Sequence, residues 1–296
     1  MEKKIATVLF LLFVFMVQAQ EQMLKGLYVD GFVDIIDIPS AEEDLLNYAK
    51  DHHFDYLIIY NINKVHRNRF PLDNEMTDDP FVKFIKKAKT EYGIKRISVV
   101  GEKAVSFDPV LRYNLNHIEN DDELVDGFLL EFEFWNSKKV RYEGDYCEDY
   151  LKKAGIPCNR SGAFYFYMEQ LKTLRSVASE FQINLESYVG SVSKEEMQKL
   201  IQYLNAIHID YYRKDLKKMA DYKANRLDAI IDGQSKVEVF PIFSSREKHM
   251  KKWLHNNDID DVFPVYLQML EKDKNLYPIL SNIKGHSWYR YSSMPK

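Results

Sequence analysis

Two glutamates stand one residue apart in an apolar run, Asp126-Gly127-Phe128-Leu129-Leu130-Glu131-Phe132-Glu133-Phe134-Trp135. Side chains alternate along an extended strand, so Leu129, Glu131, Glu133 and Trp135 would share one face. If that face looks into a barrel, two carboxylates climb one above the other in a low-dielectric space, and at least one has a raised pKa. A carboxylic acid that keeps its proton near neutral pH is what protonation of a glycosidic oxygen requires. The alternative turns Glu131 and Glu133 outward to meet a helix. It would force Phe128, Leu130, Phe132 and Phe134 into a narrow interior, whereas such side chains suit the layer between a sheet and its helices.

A strand of this kind needs a scaffold, and the flanking sequence supplies one. Short segments rich in Val, Ile, Tyr and Phe read as strands: Gly26–Phe32, Phe54–Ile62, Arg96–Gly101, Gly127–Trp135, Ile183–Val189, Ala206–Tyr212, Val237–Phe243 and His286–Tyr291. Several are apolar on both faces, as parallel strands buried under helices are. Between them lie amphipathic helices. Tyr167, Leu171, Leu174, Ala178 and Phe181 fall at helical spacing, as do Met197, Leu200, Ile201 and Leu204, the latter preceded by a capping box at Ser193 and Glu196. Asp79-Pro80 opens another helix, with Phe81, Phe84, Ile85 and Ala88 on its inner face. The segment Ala104–Val125 has the weakest helical pattern.

Strands alternating with helices in this number predict an α/β fold, a (β/α)8 TIM barrel in a single domain, with the last outer helix short or absent. A doubly wound open sheet is the rival; it usually carries a glycine-rich phosphate turn after an early strand, and the sequence has no such turn. In a barrel the site is built at the C-terminal ends of the strands. Asp30, Asn61, Glu102, Glu133, Trp135, Glu186, Tyr188, Asp210, Tyr212, Ser244 and Trp288 are therefore the residues to follow.

The stretch from Asp126 to Glu133 resembles the signature of glycoside hydrolase family 18, Asp-x-x-Asp-x-Asp-x-Glu, on the fourth strand of a (β/α)8 barrel. Asp126 matches the first acid and Glu133 the last, while Leu129 replaces the second and Glu131 the third. Tyr28 fits the family's first-strand aromatic. Asp210-Tyr211-Tyr212 is similar to its Met-x-Tyr-Asp motif, and Trp288 to the eighth-strand tryptophan beneath the sugar. The resemblance implies hydrolysis of N-acetylglucosamine-containing oligosaccharides or polysaccharides with no cofactor. Glu133 would be the general acid, Glu131 its helper, and the substrate's acetamido group the nucleophile; Glu186 or Asp210 could instead complete a conventional carboxylate pair. Tyr28, Trp135, Asp210, Tyr211, Tyr212 and Trp288 would hold the sugar. The altered acids keep a second reading open, a chitinase-like protein that binds glycans without cleaving them, since an angstrom of misplacement can cost about 10²-fold.

Composition sets the surroundings. Lys3 and Lys4, the apolar run Ile5–Val17 and the cleavage pattern Val17-Gln18-Ala19 read as a secretory signal peptide over residues 1–19, leaving residues 20–296 as the barrel domain and placing it outside the cell or in a periplasm. No later segment has the length or apolarity of a membrane span. A net charge of -4, with both signs mixed along the chain, argues against nucleic acid as a partner. Aromatic residues make up 14% of the chain, enough to supply both a core and sugar-stacking faces. Cys147 and Cys158 predict a disulfide closing a short loop, and no metal-ligand spacing accompanies them.

Overall fold

The computed structural model describes residues 23–214 and 224–295; the signal-peptide reading of residues 1–19 lies outside the described residues. The strands are β1 (Leu24–Val29), β2 (Tyr56–Ile59), β3 (Arg96–Gly101), β4 (Gly127–Leu130), β5 (Asn184–Val189), β6 (Ala206–Asp210), β7 (Glu238–Ser244) and β8 (Gly285–Tyr289). Each pairs in parallel with the next and β8 returns to β1, so the sheet closes into an eight-stranded barrel with helices between the strands. This is the (β/α)8 fold that the alternation of elements predicts.

The helices form where the sequence pattern puts them. Asp79–Tyr92 buries Phe81, Phe84, Ile85 and Ala88 and stops at Gly93, whose φ of 72° suits glycine. Arg160–Glu180 starts at Asn159, whose side chain accepts from the Gly162 amide, and Lys194–Leu200 starts from the Ser193/Glu196 capping box. The weakly patterned Ala104–Val125 becomes a 3₁₀ turn at Ala104–Phe107, a helix at Asp108–Asn116 and a second 3₁₀ turn at Asp121–Glu123. After β8 the described residues form the short 3₁₀ turn Tyr291–Ser293.

Two apolar layers follow from strand alternation. Tyr28, Tyr56, Ile58, Val100, Leu129, Tyr188, Ala206, Phe240 and Ile242 fill the barrel interior. Phe128, Leu130, Phe132 and Phe134 belong to the outer layer between strands and helices. The strand β4 is shorter than the sequence suggests. The Glu131 amide still donates to the Gly101 carbonyl at 2.9 Å, but Phe134 N turns back to Phe132 O at 2.8 Å and Asn136 N to Glu133 O at 2.8 Å. Glu131 thus prolongs the interior face, whereas Glu133 already belongs to the loop that curls over the barrel mouth.

Deep inside the barrel sits a charged network. Glu186 accepts from Tyr56 Oη and from Ser98 Oγ at 3.0 Å, with His208 Nε2 at 2.9 Å and Arg96 Nη1 at 3.9 Å. Burial alone would raise its pKa; the His208 hydrogen bond and the Arg96 charge outweigh burial and hold it below the usual carboxylate value. Gly127 makes room for this network, since a Cβ there would lie 2.3 Å from Ser98 Oγ and 2.6 Å from Glu186 Oε1.

Candidate active site

The barrel mouth at the ends of β2, β3 and β4 opens into a cleft of about 590 Å³, lined among others by Tyr60, Asn61, Glu102, Glu131 and Tyr150. That volume is typical of a small-ligand site. Glu131 lies on its floor, where Tyr60 Oη donates to its Oε2. Loss of hydration pushes the Glu131 pKa up to about 7; the Tyr60 hydrogen bond and Lys139 work against the rise, and Glu133 and Glu102 add to it.

Tyrosines crowd around this carboxyl. Tyr28 packs on Tyr60 at 5.7 Å and on Tyr289 at 5.8 Å between ring centres, and Tyr212 meets Tyr289 at 5.9 Å. Burial, with the Glu131 charge behind it, raises the phenol pKa values of Tyr28, Tyr60 and Tyr289. These phenols are therefore neutral; Tyr28 is buried, while the half-buried Tyr60 and Tyr289 keep part of a flat ring face open. Trp135 lies against Tyr188 at 5.6 Å, and its indole rests on Gly190, where a Cβ would come within 2.5 Å of Nε1.

The disulfide loop builds one wall. Cys147 and Cys158 are bonded, with Cα atoms 5.1 Å apart. Between them, Tyr150 lines the cleft and donates to Glu102 Oε2, and the neighbouring Tyr146 donates to Glu102 Oε1 at 3.2 Å. Glu133 stands at the rim, its carboxylate 2.8 Å from Lys139 Nζ and 3.1 Å from Asn136 Nδ2.

Other residues singled out in the sequence fall elsewhere. Asp126 precedes β4, at the opposite end of the barrel from the mouth, and is paired with Lys89 at 2.9 Å while accepting from Ile97 N. Glu186 is fully buried within the charged network rather than open to the cleft. Trp288 turns outward, is fully buried and packs on Phe243 at 5.6 Å, so it cannot lie beneath a sugar; its neighbour Tyr289 takes the inward position. Tyr211 likewise points to the outer layer, accepting from Tyr266 Oη at 3.0 Å, while Tyr212 faces the tyrosine group and stacks on His249 at 4.9 Å. Asp210 lies 3.9 Å from Arg226 Nη1. Tyr60 and Tyr289 escaped the sequence reading; parity with the inward residues Ile58 and Tyr28 would have found the first. Among the described residues, no group of at least three His, Cys, Asp or Glu side chains is arranged to hold a metal ion.

No protein-family model matches the sequence, and no curated protein gives a significant match. Among solved structures, the apo form of a 3-keto-D-glucoside 4-epimerase from E. coli superposes with a TM-score of 0.50 at 14% identity, covering 91% of this chain and 92% of that one. A D-tagatose 3-epimerase-like protein gives a TM-score of 0.50 at 10% identity, covering 92% of each chain. A chitinase from Chromobacterium violaceum ATCC 12472 gives a TM-score of 0.46 at 11% identity, covering 93% of this chain and 96% of that one. At these identities the likeness of the two epimerase structures goes no further than the barrel and leaves the reaction to the site itself.

Proposed function

We propose that this chain is an exported glycoside hydrolase acting on N-acetylglucosamine-containing glycans, with Glu131 as its proton donor. The observation that carries the reading is a carboxyl on the cleft floor with its pKa raised to about 7, ringed by tyrosines. The family 18 resemblance assigns the acid role to Glu133, but Lys139 and Asn136 engage that carboxylate at the rim. With Tyr60 donating to Glu131 Oε2, Oε1 is left to carry the proton toward the cleft. Transfer of that proton to the glycosidic oxygen breaks the bond to the anomeric carbon as the acetamido carbonyl oxygen of the substrate bonds to it. Water then opens the resulting ring and returns a proton to Glu131. Export is supported by the signal-like residues 1–19 and by the Cys147–Cys158 bridge; no helix among the described residues is long and apolar enough to cross a membrane.

The test is release of reducing ends from N-acetylglucosamine oligomers. Glu131→Gln is expected to lower kcat by about 10²–10⁴-fold with the fold kept. The wild-type kcat/KM should fall as pH rises through about 7, because the acid must be protonated. Tyr60→Phe removes a bond that favours the carboxylate, so it should move this limb to higher pH. Undiminished turnover by Glu131→Gln excludes the assignment. A second reading, glycan binding without turnover, is favoured by Leu129: it packs in the apolar interior where the family signature has an acid. Saturable binding with no product after long incubation would select it.

A further inference from the structure

We infer that the cleft recognises an anionic saccharide, one bearing carboxylate or sulfate groups, through Lys64, Arg67 and Lys103. The proposal rests on the glycan reading above and specifies its substrate class. All three cations line the same cleft as Glu131. Lys64 and Arg67 lie on the helix Ile62–Asn68, which Asn61 starts in a left-handed conformation with φ 64°, a geometry asparagine tolerates. That sharp turn after β2 hangs the helix on the edge of the cleft. Lys103 follows β3, with its Nζ 5.7 Å from the ring centre of Tyr150, another lining residue.

These cations are not spent on the acids beside them. Glu102 is held by the hydroxyls of Tyr146 and Tyr150, and Glu131 by that of Tyr60. None of Lys64, Arg67 and Lys103 has a carboxylate within ion-pair distance among the described residues, although elsewhere on this surface lysines are commonly paired, as Lys83 is with Asp79 and Lys139 with Glu133. In a chain of net charge -4, cations grouped at one cleft and left without carboxylate partners offer a complementary field to a negative ligand. An ammonium–guanidinium set beside the cleft would also orient a charged sugar so that its linkage meets Glu131.

The experiment compares three N-acetylglucosamine-containing hexasaccharides by titration calorimetry: chitohexaose, its 6-O-sulfated form on the same backbone, and a hyaluronan hexasaccharide, in which glucuronate alternates with N-acetylglucosamine. The proposal expects at least one charged probe to bind roughly tenfold more tightly than chitohexaose, with the advantage shrinking as added salt shortens the Debye length. Which charged probe is favoured separates sulfate from carboxylate recognition. The double variant Lys64→Gln/Arg67→Gln, at exposed positions, should cut the preference to roughly threefold or less, with Lys103 still in place. Equal affinities for all three probes, or a preference that the double variant leaves intact, overturns the proposal. Cleavage is scored separately with Glu131→Gln: a charge preference without hydrolysis sinks the hydrolase reading alone, and hydrolysis without a preference sinks this one alone.

Discussion

Replacing Glu131 by Gln should stabilise the protein, and the gain should depend on pH. The carboxyl titrates near 4.5 when solvated and at about 7 in the folded chain. Because the folded pKa is the higher one, the native state binds more protons than the unfolded state between these values, and wild-type stability declines as pH climbs through that window. At about 1.4 kcal/mol per pH unit the full penalty for the ionised form is roughly 3 kcal/mol; the open cleft screens part of it, which leaves about 2 kcal/mol. Glutamine keeps an oxygen for Tyr60 and carries no charge. Urea denaturation of both proteins is measured at about pH 4, where both forms of Glu131 are protonated, and at about pH 8, where folded Glu131 is ionised. The stability gap in favour of Gln should be near zero at the acidic point and widen to about 2 kcal/mol at the basic one. A gap that is the same at both pH values refutes the reasoning, because it would mean that shape or hydrogen bonding, and not desolvation of a charge, sets the difference. Such a gain in stability alongside lost turnover is the trade expected of a group kept for chemistry.

Removing Glu186 should act in the opposite sense. Glu186→Gln removes the buried anion beside His208, while Arg96 keeps Glu238 at 2.8 Å, and is expected to cost about 3 kcal/mol in urea denaturation. Trp288→Ala should destabilise by about 3–5 kcal/mol while glycan affinity, measured by calorimetry on the folded fraction, stays as it was. Tyr289→Ala should do the reverse, weakening glycan affinity with a smaller loss of stability. Replacing Cys147 and Cys158 together by Ser should remove about 3 kcal/mol, measured by chemical denaturation against the oxidised protein.

The barrel was legible because its strands are short, β-branched or aromatic and separated by helical periodicities, a pattern that few other folds share. Glu131 was legible too, through simple alternation along β4. Depth along the barrel axis was not. Glu186 and Tyr188 both face inward and strand direction puts Tyr188 nearer the mouth, but the stagger of neighbouring strands decides that the level of Glu186 is closed off from the cleft. The Trp288 assignment failed for a different reason. His286, Ser287, Trp288 and Tyr289 show no polar–apolar alternation that tells inside from outside, and a slip of one residue exchanges the two faces. Glu133 was read as part of a continuous strand, but carbonyls of its own loop capture the following amides and end the ladder early. The pairing of Lys139 with Glu133, and the freedom of Lys64 and Arg67 from such pairing, are long-range outcomes of loop placement that local pattern does not encode.

Closure of the sheet also governs how this protein can go wrong. With β8 paired to β1, no strand among the described residues presents a free row of amides and carbonyls, so edge-to-edge association of the barrel with another copy has no template until a seam opens. The β7–β8 ladder of Ile242–Ser244 against Ser287–Tyr289 is tied at both ends, by the bridge of Val239 to Ile283 and by Ser245 N donating to Tyr289 O at 2.8 Å. Opening it would uncover two borders at once, Phe243 on one and Trp288 on the other, both from the outer layer. Pairing beyond both ends of that seam thus keeps two apolar borders out of reach of a second copy.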